Sequence, residues 1–370
     1  MKAFAAILLL ICASSFEVVE MTPVSFRPDK PAENLFIVTI DGFRWQEVFG
    51  GADPDLLNNV KCMSDTALGN AMYGGATAEE RRKKLLPFFW SVLAKQGALY
   101  GNRAYNNKVN VANIYNFSYP GYHEMLTGST DIRVNSNNKK TYRHTNVLEY
   151  INSLPAFQNK VVALSSWDVF PFILSKDRAM LPVNSGYTPI ANAVSFTEKA
   201  FNQVQDEIAG EEKTKTRLDQ LTFVAAKDYI LKNKPRIMLL GLGETDEYAH
   251  DGRYDGYLQH ANYIDRMLSE LWLMIQSTPG YRNNTTILIT TDHGRGKKDG
   301  TWSKHSTFVT GSSQAWLAMI GPNIPSAGEV KTAQQFYLKD LPQTIGALVG
   351  VDFKKGMKPE VTVQALVKAD

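Results

Sequence analysis

The sequence predicts an α/β protein with a mainly parallel central sheet, and two patterns along its 370 residues lead to that prediction. Several short runs are continuously apolar, as is typical of strands buried on both faces of a parallel sheet. They are residues 35–40 (LFIVTI), 161–164 (VVAL), 237–242 (IMLLGL) and 286–290 (TILIT), with 316–320 (WLAMI) as a further candidate. Helical patterns lie between them, at residues 87–95, 146–152, 219–231, 257–276 and 334–348. Strands that alternate with helices indicate a parallel sheet.

The composition is that of an ordinary folded protein and argues against a nucleic-acid partner. Hydrophobic residues make up 44% of the chain and charged residues 21%, a balance unlike that of disordered chains. The formal net charge of +3 is too small for the concentrated basic surface that nucleic-acid binding requires. We therefore expect no nucleic-acid partner. Nothing in these patterns indicates an oligomeric state.

The first residues are typical of a secretory signal peptide. Lys2 precedes eleven uncharged residues, 3–13 (AFAAILLLICA), and small residues follow at Ser14 and Ser15. A permanent membrane span needs about 20 apolar residues, so no stable span is expected. A lipid anchor on Cys12 is disfavoured because Leu10 and Ile11 precede it. We expect residues 1–15 to direct export to the periplasm or the outside of the cell, and residues 16–370 to form one domain.

Two polar stretches are expected to be insertions that form loops over the carboxyl edge of the sheet, where loops usually set specificity. Residues 58–80 are rich in small and polar side chains, and residues 135–143 (NSNNKKTYR) are rich in asparagine. The second stretch opens a longer region, 135–230, in which we expect cap-like insertions.

Aspartates and histidines follow three of the predicted strands. Asp41 ends the first run, Asp246 and His250 follow the run at 237–242, and Asp292 and His293 end the run at 286–290, with His305 twelve residues further on. Ligands bind outside the carboxyl ends of parallel strands, and mixed Asp and His sets bind divalent ions such as Zn²⁺. A single aspartate in such a position would more simply be a turn or helix-capping residue. The whole set predicts a metal site.

A candidate nucleophile lies in the segment 113–128 (NIYNFSYPGYHEMLTG). Pro120 is suited to the first position of a helix that Gly128 ends, which places Ser118 at the helix N-terminus, where a phosphate binds favourably. A nearby cation would activate the serine hydroxyl. Alone, Ser118 would be interpreted as a helix cap.

In this order, these motifs resemble those of the alkaline phosphatase superfamily. The resemblance rests on Asp41 in IDGF, Ser118 in SYPGYHEMLTG, Asp246-x-x-x-His250, Asp292-His293-Gly294 and His305. The resemblance covers residues 35 to about 310. Within the superfamily, the sequence is most similar to the type I phosphodiesterase and nucleotide pyrophosphatase branch. The resemblance implies a three-layer sandwich with cap-like loop insertions and two metal ions, most simply Zn²⁺. One ion would be held by Asp246, His250 and His305, and the other by Asp41, Asp292, His293 and Ser118.

The resemblance implies that the substrate is a small-molecule phosphate ester. The mechanism that it implies is attack by Ser118 on phosphorus, followed by hydrolysis of the phosphoseryl intermediate. Four nearby side chains could bind the phosphoryl oxygens: Asn113, Asn116, Arg295 and Lys304. Gly121 and Tyr122 stand where the phosphodiesterase branch commonly has Asn-His, so the preference for diesters over monoesters stays open. Two further histidines have simpler interpretations: His123 within the helix and His260 on the surface of the helix at 257–276.

Three alternatives share this fold. A sulfatase would need Arg at the last position of a Cys/Ser-x-Pro-x-Arg motif, where this chain has Tyr122 after Ser118-Tyr119-Pro120. A phosphonate hydrolase is the second alternative, and a non-catalytic binding protein that retains the fold is the third. The intact set of candidate ligands argues against the last.

Overall fold

The structure is a computed structural model that describes residues 31–211, 216–297 and 300–353. The predicted signal peptide, residues 1–15, therefore lies outside the described residues. Within the described ranges the strands are β1 (Asn34–Ile40), β2 (Gly97–Tyr100), β3 (Asn107–Asn110), β4 (Val161–Ser165), β5 (Val183–Ser185), β6 (Ile237–Leu242), β7 (Thr285–Thr290), β8 (Gln314–Ala315), β9 (Leu317–Ile320), β10 (Gly328–Glu329) and β11 (Gln334–Tyr337).

The helices connect these strands and cover both sides of the sheet. They are α1 (Trp45–Gly50), α2 (Pro54–Leu57), α3 (Thr66–Tyr73), α4 (Ala78–Leu85), α5 (Ala94–Gln96), α6 (Ser118–Thr127), α7 (Val147–Ser153), α8 (Phe170–Ile173), α9 (Lys176–Ala179), α10 (Phe196–Glu211), α11 (Asp219–Asn233), α12 (Glu244–His250), α13 (Tyr254–Ser277) and α14 (Leu341–Leu348). A π-helical turn, Phe89–Leu93, precedes α5, and two 3₁₀ turns lie at Arg103–Tyr105 and Leu338–Asp340.

The main sheet has eight strands in the order β10-β2-β9-β7-β1-β6-β4-β5. Strands β7, β1, β6, β4 and β5 are mutually parallel, and β9 pairs antiparallel with both β7 and β2. The prediction of a mainly parallel central sheet is therefore confirmed. A second sheet has the order β11-β3-β8, and the chain runs from its strand β3 into the segment that contains Ser118.

The sheet is buried on both faces, which gives three layers. Phe36 and Val38 of β1 belong to one core, which they share with apolar side chains of α11 and α13. Leu35 and Ile37, which alternate with them, belong to a second core formed with α6, α7 and α14. Successive side chains of a strand point to opposite faces, so one strand supplies both cores. This is the three-layer arrangement that the resemblance implied.

Several local predictions differ from the structure. Residues 334–340 form β11 and a 3₁₀ turn instead of the first half of a helix, because β11 pairs with β3. Part of the predicted helix at 87–95 is π-helical, and 316–320 contains the antiparallel strand β9. Residues 58–80, expected to be loops, contain α3 and the start of α4. Within 135–230, β4 and β5 belong to the main sheet, so that region is not wholly an insertion.

In the described part of the chain, no helix combines the length and apolar character needed to cross a membrane.

Candidate metal centre

Three neighbouring strands end at the same edge of the sheet and bring three aspartates together. Asp41 directly follows β1, Asp292 lies two residues after β7, and Asp246 lies on α12, which begins two residues after β6. Strand β1 lies between β6 and β7 and is parallel to both. The hydroxyl of Thr245 donates to the carbonyl oxygen of Asp41 at 2.7 Å, which ties α12 to the end of β1.

The aspartates and histidines form two groups whose candidate ligand atoms lie within 4.8 Å of one another. The outer cluster consists of Asp246, His250 and His305. His250 Nε2 lies 2.9 Å from Asp246 Oδ2 and 3.1 Å from His305 Nε2. The His250 side chain is 51% exposed, so this cluster opens to solvent. His305 Nδ1 lies 2.8 Å from the carbonyl oxygen of Asn116, which leaves Nε2 directed at the cluster.

The inner cluster consists of Asp41, Asp292 and His293, all buried. His293 Nε2 lies 3.4 Å from Asp41 Oδ1 and 3.5 Å from Asp292 Oδ2. His293 Nδ1 faces the carbonyl oxygen of Gly294 at 3.0 Å. In metal sites, a histidine ligand usually donates its second ring N–H to such an acceptor. The two clusters adjoin, since the rings of His293 and His305 stack with centroids 3.9 Å apart.

Ser118 lies beside the inner cluster at the first residue of α6. Its Oγ is 3.3 Å from Asp41 Oδ1 and 3.2 Å from His293 Nε2. The N-cap position belongs to Phe117, whose own side chain makes no capping hydrogen bond, and Ser118 is already the first residue of the helix, so the alternative role of Ser118 as an N-cap residue does not apply. Pro120 is the third residue of the helix, two positions later than predicted. Gly128 ends the helix with φ +73°, as its type predicts.

Charge and burial oppose each other in the inner cluster. Burial and the neighbouring Asp41 raise the pKa of Asp292 to about 8. Burial lowers the pKa of His293, but Asp292 and Asp41 outweigh it and raise the pKa to about 9. Asp292 Oδ2 is buried and accepts no hydrogen bond. A buried anionic oxygen without a donor is costly, and a divalent cation among these oxygens and nitrogens would remove that cost.

In the outer cluster the histidines are held neutral. Burial, followed by the charge of His293, lowers the pKa of His305 far below its ordinary value and also lowers that of His250. A neutral imidazole offers a lone pair, which is the form that binds a metal. The donor set of both clusters, carboxylate oxygen and imidazole nitrogen, therefore fits a divalent ion such as zinc.

The four predicted substrate contacts have different surroundings. Both polar atoms of the Asn113 side chain already have partners: its Nδ2 donates to Glu124 of α6 at 2.9 Å, and its Oδ1 accepts from the backbone N–H groups of Tyr115 and Asn116. Asn116 has φ +54°, and its buried Oδ1 has no hydrogen-bond partner. Lys304 is exposed, next to His305.

Arg295, the fourth predicted contact, is buried behind the outer cluster. Its guanidinium pairs with the carboxylate of Asp246 and donates to the carbonyl oxygens of Gly42 and Ser303. Burial lowers its pKa to about 9. These contacts orient Asp246, which is a different role from the predicted contact with substrate.

Two polar side chains at the site were not predicted from the sequence. The hydroxyl of Tyr122 donates to Asp41 Oδ2 at 3.2 Å. The sequence feature that could have predicted this role is the position of Tyr122 four residues after Ser118, one helical turn along the same face. Asn137 Oδ1 accepts the backbone N–H of Tyr119 at 3.0 Å, at the start of α6. It belongs to the asparagine-rich stretch 135–143, which was expected to lie near the site.

Comparison with known proteins gives a family match over part of the chain. A sequence model of the metalloenzyme superfamily matches residues 182–309, a range that includes Asp246, His250, Asp292, His293 and His305. No curated protein matches the chain by sequence.

Solved structures share the fold at low sequence identity. Wild-type alkaline phosphatase PafA has a TM-score of 0.61 at 11% identity, covering 92% of this chain and 99% of that one. The soluble domain of lipooligosaccharide phosphoethanolamine transferase A from Neisseria meningitidis has a TM-score of 0.57 at 9% identity, with coverages of 94% and 97%. A 2-O GAG sulfatase has a TM-score of 0.57 at 12% identity, with coverages of 90% and 74%.

The family match over residues 182–309 and the shared fold agree with a metalloenzyme of alkaline phosphatase-like fold, a class in which a divalent metal is a cofactor. The resemblance to the alkaline phosphatase superfamily is thereby confirmed. The similar structures are named for three different reactions, so the reaction of this chain has to be argued from its own site.

Proposed function

We propose that this protein is an exported, zinc-dependent phosphoesterase that uses Ser118 as its nucleophile and prefers phosphodiesters. The observation that carries the proposal is the position of Ser118 Oγ. It lies within 3.3 Å of one carboxylate oxygen and one imidazole nitrogen of the inner cluster, at the N-terminus of α6.

The ligand assignment follows the two clusters. One zinc ion would be held by Asp246, His250 and His305, and the second by Asp41, Asp292 and His293, with the adjacent Ser118 as a further ligand. The orphaned Asp292 Oδ2 supports the inner assignment. The carbonyl partners of His293 Nδ1 and His305 Nδ1 support both assignments, because they leave each Nε2 free to bind.

Bound zinc ions would lower the pKa of the Ser118 hydroxyl and offset the charge that develops on the phosphoryl oxygens. The chain supplies the rest. The N-terminal end of α6, with its positive dipole end, favours an anionic group beside Ser118. Ser118 Oγ forms a bond to phosphorus as the bond to the first alcohol breaks. Water then cleaves the phosphoseryl bond and restores the hydroxyl, so positioning and charge account for most of the catalysis.

Two features favour a phosphodiester as the substrate. Arg295, one of the two predicted cationic contacts, is already engaged with Asp246 and with the carbonyl oxygens of Gly42 and Ser303. A doubly charged monoester would be expected to need a further cationic clamp, whereas a singly charged diester would not. Asn137, which already contacts the start of α6, has an amide that can donate to one phosphoryl oxygen.

Phosphate is favoured over sulfate by Tyr122. It stands where a sulfatase would need the arginine of its modification motif, and its hydroxyl is used to hold Asp41. A serine that stays unmodified attacks phosphorus directly.

The test compares three substrates with the zinc-loaded protein: p-nitrophenyl phosphate, bis(p-nitrophenyl) phosphate and p-nitrophenyl sulfate. We expect the highest kcat/KM for the bis-ester and none for the sulfate. Faster turnover of the sulfate would assign a sulfatase, and no turnover of any substrate despite bound zinc would contradict an enzymatic role.

The nucleophile is tested by Ser118→Ala, with Ser153→Ala as the matched control, since Ser153 is on α7 and bonds only its own helix backbone. Ser118→Ala should lose turnover and should lose the covalent phosphate ester on residue 118, which still carries the second alcohol of a diester substrate and is detected by mass spectrometry. It should keep most of its zinc. Wild-type rates in this variant would rule out Ser118 as the nucleophile.

A further inference from the structure

Three buried ionisable side chains meet at the start of α12, the short helix that carries Asp246 and His250. They are Asp219, Glu244 and His260, which are 0%, 6% and 6% exposed. The prediction that His260 lies on the helix surface is wrong, because its Nε2 is 3.0 Å from Glu244 Oε1 in a closed interior. Charged groups are rarely buried unless they are paired, so this arrangement calls for a reason.

Asp219 and Glu244 hold the starts of two helices together. Asp219 is the first residue of α11, and its carboxylate accepts the backbone N–H groups of Gly243 at 2.8 Å and Glu244 at 3.1 Å. In return, Glu244 Oε2 accepts the backbone N–H of Asp219 at 2.6 Å. Helix α12 has Gly243 at its N-cap and no capping side chain of its own. The reciprocal bonds act as a capping box, but between two separate helices.

His260 holds α12 from the side of α13. Its Nε2 faces Glu244 and its Nδ1 faces the carbonyl oxygen of Gly256 at 3.1 Å. With an acceptor beside each nitrogen, the ring can donate a hydrogen bond from both nitrogens when it is protonated. The ring also stacks on Tyr248 of α12, with centroids 4.4 Å apart. Gly256 leaves space for the Tyr248 ring, since a Cβ at position 256 would lie 2.1 Å from that ring.

The contacts of His260 fix the orientation of the metal-binding side of α12. Glu244 and Tyr248 are four residues apart and share one face of the helix. Asp246 and His250 are also four residues apart. At about 100° per residue, they lie on the opposite face. The contacts of Glu244 and Tyr248 therefore fix the rotation of α12 about its axis and its position along that axis. Both determine where Asp246 and His250 lie.

We propose that Asp219, Glu244 and His260 form a positioning network that fixes α12 and thereby sets the zinc affinity of the outer cluster. The proposal rests on the ligand roles given under Proposed function. These residues are positioning residues, because they act through Asp246 and His250. Removing a side chain that hydrogen-bonds a metal ligand directly typically changes metal affinity about 10- to 100-fold, and these residues, which act one step further from the metal, should give an effect near the lower end of that range.

The experiment titrates the metal-free full chain with Zn²⁺ by calorimetry, without substrate. His250→Ala identifies which binding step belongs to the outer cluster. We expect His260→Leu to weaken that step by roughly tenfold or more and to leave the inner step unchanged. His260→Gln keeps a donor toward Glu244 and should recover most of the affinity.

The matched control is Asp265→Asn. Asp265 is a buried acid on the same helix, α13, but it binds the backbone of Phe88 and Phe89 at 2.7 and 2.9 Å, away from α12. It should keep wild-type zinc affinities. If His260→Leu does not fold, Tyr248→Leu replaces it, because it removes the stacking of Tyr248 on His260 and leaves the pair of His260 with Glu244 in place.

Three results would overturn the proposed network: unchanged outer affinity in the His260 variant, equal weakening of both steps, or the same weakening in Asp265→Asn. A wild-type protein that binds no zinc contradicts the proposed function itself, so the two failures are distinguishable.

Discussion

Gly42 lies at the point where β1 delivers Asp41 to the site, and replacing it with alanine is a sharp test of the site geometry. Its backbone has φ +60°, a conformation that costs a residue with a side chain about 1–2 kcal/mol. A Cβ at this position would lie 2.5 Å from Asp246 Oδ1 and 2.8 Å from Arg295 Nε. Because non-bonded carbon contacts are normally at about 3.5 Å, the Asp246 carboxylate would have to move by about 1 Å.

A displacement of that size has a calculable effect on the reaction. A misplacement of about 1 Å typically lowers the catalytic rate by roughly 100-fold. We therefore expect Gly42→Ala to lower kcat on the bis-ester on the order of 100-fold and to weaken zinc binding at the outer cluster. Unfolding in urea should show a loss of about 1–2 kcal/mol. Rates are measured with saturating zinc, so that lost occupancy and lost geometry are separated.

Gly280→Ala is the matched control. Gly280 has φ +91° and lies between α13 and β7, away from the site, and a Cβ added there would have no heavy atom within 4 Å. This variant should lose similar stability and keep its activity. If Gly42→Ala kept kcat within twofold of wild type while both variants lost stability, the account of Asp246 and Arg295 would be refuted.

Three other substitutions test separate features. Asp292→Asn should lower the zinc content measured by elemental analysis, and a variant that still binds two zinc ions per chain would contradict the ligand role of Asp292. Because burial raises the pKa of the Asp292 carboxyl to about 8, the same substitution should stabilise the chelated protein at pH 9. Tyr122→Phe should weaken zinc binding about tenfold in a competition with a chromophoric chelator, since it removes the hydroxyl that donates to Asp41; unchanged affinity would exclude that role. Burial, together with the neighbouring His144, lowers the pKa of His123 to about 4. Below pH 6.5 the unfolded state therefore binds more protons than the folded state, and the free energy of unfolding falls as pH decreases. From pH 7 to pH 5 this loss is about 2 kcal/mol, and His123→Phe should remove it in urea titrations with chelator; an equal loss in the variant would show that other groups cause it.

The central sheet could be predicted because its strands are buried on both faces. Such strands are continuously apolar, and β1, β6 and β7 lie within one residue of the predicted runs. Residues 334–340 could not be predicted in the same way. Their local pattern fits a helix, and only the pairing of β11 with β3, more than 200 positions earlier in the chain, makes them a strand.

The site shows the same division. The gathering of Asp41, Asp246 and Asp292 follows from the strand order, but their division between two ions came from the family resemblance. Partners decide the remaining roles. Asn113 looked like a phosphate donor, yet Glu124 of α6 engages its amide. His260 looked like a surface residue, yet Glu244, sixteen positions earlier, pairs with it in the interior.

The strand order also has a consequence for how the protein acquires its metal. The candidate ligands come from segments between residues 41 and 305, and Asp41, Asp246 and Asp292 meet only after β1 has paired with β6 and β7. A complete site therefore cannot form in an early local folding intermediate, and metal loading follows assembly of the sheet centre. Bound metal then stabilises the whole domain by mass action. The melting temperature of the entire chain should consequently rise with metal concentration, as one cooperative transition.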